Sequence, residues 1–174
     1  HSHIRFGTFQ RHAYEQNRDR LWQLLNYAIE HYFKHLSGPD TEDKVEAFLL
    51  EVSNRSAVLV ASWLAAGFVH GVLNTDNMNI TGESFDYGPY RMLPIHDARF
   101  VAAYFDENGI YSYGQQPTAV FWNLQQLAGA LSELCSKERL IAVLETFPDR
   151  YRTALKDQTL FRLGLQQEDT AADI

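Results

Sequence analysis

The sequence predicts a single, mainly α-helical domain carrying one small β-hairpin, and three observations support that class. The chain has 174 residues, 45% hydrophobic and 21% charged, enough for one real core and too few for two large domains. Apolar residues recur at three and four positions over most of its length, the period of a helix buried along one face. Between residues 70 and 117 that period gives way to turn chemistry and short extended pieces.

The elements follow in order. Leu21, Leu24, Leu25, Ala28, Ile29, Tyr32, Phe33 and Leu36 form one apolar stripe, which predicts a helix over residues 13–36. Ser37-Gly38-Pro39-Asp40 then stops it, with Gly and Pro in the order usual past a C-terminus. Thr41 is a suitable N-cap for a second helix to residue 66, with Lys44 where a capping box would place Glu. That helix becomes apolar nearly all round, so it belongs at the centre of the core. Asn74-Thr75-Asp76-Asn77 is loop chemistry, and residues 78–80 and 84–85 around Thr81-Gly82 read as a small hairpin. Residues 89–117 are irregular and aromatic, a length of loop that is usually functional or packed down by its own side chains. A stripe of Val120, Phe121, Leu124, Leu127, Ala128, Leu131 and Leu134 predicts a further helix, and Leu140, Ile141, Leu144 and Phe147 begin another. Pro148 suits the first turn of a last helix to residue 163, and residues 166–174 read as a frayed polar tail.

Composition narrows the function. Fifteen Lys and Arg against 22 Asp and Glu give a formal charge of -7, the wrong sign for a surface that neutralises phosphate backbones, so no nucleic-acid partner is expected. No apolar run reaches the ~20 residues of a membrane span; the longest, residues 57–69, is interrupted by Ser62 and Gly67. The single cysteine, Cys135, rules out an internal disulfide and a cysteine-rich zinc site and points to a reducing compartment. A cytoplasmic location is expected. The chain opens on His1-Ser2-His3 with neither Met nor signal peptide, so a trimmed chain or a piece of a longer protein is expected.

Chemistry concentrates in His70-Gly71-Val72-Leu73-Asn74-Thr75-Asp76-Asn77 and, beyond the short hairpin, Asp86-Tyr87-Gly88. Asn77 and Asp86 offer oxygen ligands suited to a hard cation held against nucleotide phosphates, leaving Asp76 free to accept a proton. The spacing compares with the protein-kinase catalytic loop H-R-D-x-x-x-x-N and its downstream D-F-G. His70 and Asn77 stand seven positions apart, as in that pattern, but Val72 occupies the place of the kinase base and cannot take a proton. Asp76 is the carboxylate in the loop able to substitute. The alternative reading of each residue is an ordinary turn position, and only their combination lifts Asp76, Asn77 and Asp86 above it. His70 is assigned to structure, as a side chain that hydrogen-bonds backbone.

The strings Ser2-His3-Ile4-Arg5-Phe6-Gly7, Gly67-Phe68-Val69-His70-Gly71-Val72-Leu73-Asn74-Thr75-Asp76-Asn77 and Phe85-Asp86-Tyr87-Gly88-Pro89-Tyr90 resemble the selenoprotein O family. Ala102-Ala103-Tyr104-Phe105-Asp106, Gln116-Pro117 and Trp122-Asn123-Leu124 resemble it too, so the likeness runs from residue 2 to about residue 134. It implies a protein-kinase-like fold that binds ATP in an inverted orientation and transfers AMP to Ser, Thr or Tyr hydroxyls of protein substrates, with Mg²⁺ or Mn²⁺. By motif, Asp76 is the implied proton acceptor, Asn77 and Asp86 are metal ligands, and Arg5 and Asp86 contact the nucleotide. In that family the glycine-rich loop and the Lys–Glu pair that grips phosphates lie upstream of the Ser-His-Ile-Arg string. Residues 1–174 are therefore expected to be a single C-terminal-lobe domain, weak or inactive in isolation. Tyr90-Arg91-Met92-Leu93-Pro94-Ile95 departs from the family's usual continuation.

Two alternatives stand beside this reading: true kinase-type phosphoryl transfer, and a non-catalytic helical module that binds a partner through the aromatic 90–117 segment. His31 and His35, four apart on the expected first helix, have zinc-compatible spacing but no third ligand. Cys135 is expected half-buried and inert. Tyr104, Tyr111 and Tyr113 either pack the irregular segment down or line a substrate groove.

Overall fold

The computed structural model describes residues 1–165; the expected tail at 166–174 lies outside the described residues. Six helices, α1 (Phe6–Tyr14), α2 (Arg18–Tyr32), α3 (Glu42–Ala66), α4 (Gln116–Leu131), α5 (Lys137–Glu145) and α6 (Phe147–Leu163), surround one core. Two short strands, β1 (Phe68–Val69) and β2 (Arg91–Met92), pair antiparallel with Phe68 opposite Met92 and Val69 opposite Arg91. The class is the expected one, mainly helical with a small β element.

α3 is the central helix. It buries Val45, Phe48, Leu49, Val52, Ala57, Val60 and Ala61, and packs chiefly on α6, with α4 and α5 beside it. Phe48 is the hub, its ring 5.6 Å from Phe9 of α1 and 5.4 Å, edge-on, from Phe33, the offset and T-shaped geometries that aromatic quadrupoles favour. Gly67 ends α3 in the left-handed conformation (φ 68°) and turns the chain directly into β1, a position glycine occupies without steric cost. Thr41 stands at the N-cap but makes no side-chain cap bond. Lys44 instead ties the preceding loop down, donating to Asn26 Oδ1 at 2.6 Å, the Gly38 carbonyl at 2.9 Å and Asp40 Oδ1 at 3.0 Å.

Two expectations are corrected. The helix expected over 13–36 is α2 alone, followed by a 3-10 turn at Lys34–Leu36, and a separate helix, α1, precedes it. The break lies at Gln16, whose φ is +51°, and Asn17, whose side chain accepts the Arg20 N–H at 3.0 Å and so caps α2. The stripe reading passed over this break because α1 presents only Phe6 and Phe9 as buried residues. The β element is also displaced: residues 78–85 contribute isolated bridges, Met78 to Ser84 and Asn79 to Arg5, and the paired strands lie outside them. Burial of the apolar run after α3 decided this, since Val69 is completely buried and needs a partner for its backbone.

α4 to α6 begin and end close to where the stripes place them, with Pro117 and Pro148 in the first turns of α4 and α6. The irregular segment is held by its own bonds. The Asp106 carboxylate accepts the Ile110 and Tyr111 N–H groups, both at 2.8 Å, and the Tyr113 hydroxyl donates to the Leu64 carbonyl at 2.6 Å. Cys135, expected to be half-buried, is instead buried at 4% exposure, and burial raises its thiol pKa. His31 lies on α2 and His35 in the 3-10 turn, so the pair does not share a helix. No helix of the described residues is long and apolar enough to cross a membrane.

Candidate active site

β1 and β2 are the two ends of an excursion, residues 70–90, that holds every candidate residue except Arg5. The excursion is braced from inside by His70, which is completely buried. Its Nδ1 accepts the Val72 N–H at 3.3 Å, and its Nε2 lies 2.8 Å from Ser84 Oγ and 3.0 Å from the Phe85 carbonyl. With Nδ1 accepting, the network assigns the proton to Nε2, which donates to that carbonyl. Burial lowers the His70 pKa, against a smaller raising influence of the Phe85 hydrogen bond and the Asp86 charge. The ring is thus a neutral structural tie between the Val72 and Phe85 ends of the site.

Asn77 is buried at 5% exposure and fixed on several sides. Its Nδ2 donates to the Val72 carbonyl at 2.9 Å, and its carbonyl accepts Ser84 Oγ at 2.6 Å and the Phe85 N–H at 3.0 Å. The last bond sets Asn77 beside the residue preceding Asp86. Asp86 is exposed, with φ +60°, a left-handed conformation that Asp tolerates better than most residues but that still costs energy, so it must be imposed by its surroundings. Asp76 is exposed on the other side of Asn77, its own N–H and that of Asn77 both bonded to Asn74 Oδ1 at 3.0 and 3.2 Å. Arg5 reaches the same place from the N-terminus. Its backbone bridges to Asn79 and its guanidinium lies 5.0 Å from the Phe85 ring centroid. The four residues singled out from the sequence are therefore linked through Asn77 and Phe85, with Asp76, Asp86 and Arg5 exposed and Asn77 buried.

Three residues that sequence reasoning did not assign support this site. Gln116, completely buried at the start of α4, accepts the His70 N–H at 2.9 Å and donates to the Phe68 carbonyl at 2.9 Å. Asn123, also completely buried, donates to the Leu73 carbonyl at 2.9 Å. Gly82, at φ +82°, brings the 79–83 turn against α3, where an added Cβ would lie 2.7 Å from the Arg55 Cβ. The sequence placed the first two in the Gln116-Pro117 and Trp122-Asn123-Leu124 strings without giving either side chain a role. A groove of about 870 Å³ adjoins the excursion at Leu73, walled by Val101, Ile110, Tyr111 and Trp122, with Arg99 and Glu107 also lining it. Of the three tyrosines, Tyr113 packs the segment down, Tyr111 lines this groove, and Tyr104 is 96% exposed.

The donor chemistry at the site is oxygen. Among the described residues no three His, Cys, Asp or Glu side chains converge as a metal-holding group. The Asn77 and Asp86 pair supplies one carboxamide and one carboxylate, the sparse protein set with which Mg²⁺ is held when substrate phosphates complete its shell.

The described residues form a mainly helical fold that carries Asp76, Asn77 and Asp86 on loops beside a two-stranded sheet. Against known families, residues 1–173 match the model described as protein adenylyltransferase SelO, and the chain belongs to that family. A protein of Trichormus variabilis named protein nucleotidyltransferase YdiU is 47% identical over 169 residues, covering 97% of this chain and 34% of the relative. Proteins of the same name from Synechocystis and Shewanella oneidensis are 48% identical over 151 residues (86% and 32% covered) and 42% identical over 179 residues (99% and 36% covered). The chain spans about a third of the length of these curated relatives.

Proposed function

We propose that this chain is the catalytic part, in a protein-kinase-like C-terminal lobe, of a metal-dependent protein adenylyltransferase that moves AMP from ATP to a protein hydroxyl. The observation that carries the reading is the His70 brace, which ties the Asp76–Asn77 loop to the segment bearing Asp86. The family's and relatives' names, adenylyltransferase and nucleotidyltransferase, support the same class of reaction.

In this reading Asn77 and Asp86 hold Mg²⁺ or Mn²⁺, which when bound neutralises phosphate charge as the leaving pyrophosphate develops. Arg5 is the nucleotide contact, a planar fork suited to phosphate oxygens. Asp76, exposed and with no protein donor on its carboxylate among the described residues, is the base that takes the proton of the acceptor hydroxyl. Asn77, by contrast, has its amide group committed to the Val72 carbonyl, so its oxygen is the end left for a cation. Positioning and charge neutralisation supply most of the rate in such a transfer. Val72, a hydrocarbon at the position of the kinase base, is the reason adenylyl rather than phosphoryl transfer is favoured.

The test is transfer of α-phosphate label from ATP to protein by the full-length gene product and its Asp76→Ala and Asp86→Ala variants. Each variant is expected to lose about 100-fold or more, the range for removing a positioned base or a metal ligand. Unchanged transfer in both would refute the assignment.

A further inference from the structure

The first turn of α1 rests directly on the candidate catalytic loop. The Phe6 N–H donates to the Met78 carbonyl at 3.0 Å and the Gly7 N–H to the Thr75 carbonyl at 3.1 Å, so the loop accepts bonds from helix-end groups that have no partner within the helix. Arg5 gives α1 no side-chain cap, and the first turn holds no acidic residue. What stands there instead is Asp76. A Cβ placed on Gly7 would lie 2.2 Å from Asp76 Oδ1 and 3.3 Å from its Cγ.

Gly7 has no backbone reason to be glycine. It sits in a regular helix and is absent from the glycines with positive φ, and within a helix alanine is the better residue. The space it leaves is the space the Asp76 carboxylate occupies.

We propose that Gly7 is a positioning residue for Asp76, its missing side chain leaving the space beside the N-terminus of α1 in which the carboxylate sits. The proposal rests on the reading of Asp76 as the base. The N–H bonds to the Thr75 and Met78 carbonyls fix the backbone on both sides of Asp76, and the partial positive charge of the helix end favours an anion at that point. A methyl group at residue 7 takes the place of Oδ1. The Asp76 side chain is free to swing into solvent, so the fold survives while the carboxylate leaves its position. Stability and activity then move in opposite directions, which a purely structural glycine would not produce.

The experiment compares the full-length gene product as wild type, Gly7→Ala and Asp76→Ala, measuring thermal unfolding, kcat for adenylyl transfer and KM for ATP with Mg²⁺. Gly7→Ala is expected to unfold at the wild-type temperature or above, to keep its KM within about twofold, and to lose about tenfold or more in kcat. Wild-type kcat in Gly7→Ala beside an inactive Asp76→Ala overturns the inference and leaves the base reading in place. Wild-type kcat in Asp76→Ala overturns the base reading itself. Should Gly7→Ala unfold below the wild type, the Gly7→Ala/Asp76→Ala double variant decides. Unfolding at or above the temperature of Asp76→Ala supports the proposal, because the obstructing carboxylate is gone. Unfolding below it shows that the methyl meets something else and overturns the proposal.

Discussion

His70 has no exposed surface and is placed to join two parts of the excursion that are fourteen residues apart. Its pKa is lowered chiefly by burial, so the unfolded chain, with histidine near its ordinary 6.5, binds the proton more readily than the folded one. Stability from this residue is therefore complete above about pH 6.5 and is lost as pH falls from there through the lower folded value. Urea unfolding at pH 7.5 and at pH 5.5 is expected to show a loss that His70→Gln, which cannot titrate, reduces; an unchanged acid loss in that variant would contradict the assignment. At this scale the sequence showed Asp76, Asn77 and Asp86 clearly, because they form short strings of chemically distinctive side chains. It placed Gly7, Gln116 and Asn123 in strings that resemble the family but did not show what they do. Gln116 meets His70 across 46 residues and Asn123 meets Leu73 across 50, and such pairings leave no local pattern.

Among the elements, α4 is the buttress of the site. Gln116 bonds both the His70 N–H and the Phe68 carbonyl, so Gln116→Leu leaves two buried backbone groups unpartnered and is expected to cost about 2–4 kcal/mol in chemical denaturation. Asn123→Leu frees only the Leu73 carbonyl and also removes the buried Asn123 Oδ1, which has no partner. Its expected cost is smaller, about 1 kcal/mol, and equal losses in the two variants would contradict this account of α4. The helices with long apolar stripes, α3 to α6, were legible because burial on one face imposes a period. α1 was not, since its nine residues bury only two aromatics, and a break made by one left-handed residue at Gln16 is invisible to a stripe. The pairing of β1 with β2 escaped for another reason: two-residue strands carry no alternation, and their partners lie on either side of the whole excursion.

The whole molecule is one core on which a polar site is mounted at the end of the central helix. Phe48, completely buried and touching aromatics from two sides, is expected to cost about 3–5 kcal/mol when replaced by Ala, with cooperative unfolding of α1 and α3 together. A loss of ellipticity confined to one helix would show that the core is divided. The rigidity of that core matters to function, because the Asp76, Asn77 and Asp86 side chains stand on loops whose positions are set by α1, α3 and α4. The activity proposed for this site is transfer of the adenylyl and not the terminal phosphoryl group. The most direct measurement incubates the full-length gene product, as wild type and Asp86→Ala, with ATP labelled at either the α or the γ phosphorus and determines the mass of the protein adduct. An adenylyl adduct that retains the α label is expected in the wild type and is expected to be absent in Asp86→Ala. A phosphate adduct carrying the γ label, or an adduct that persists in Asp86→Ala, would contradict it.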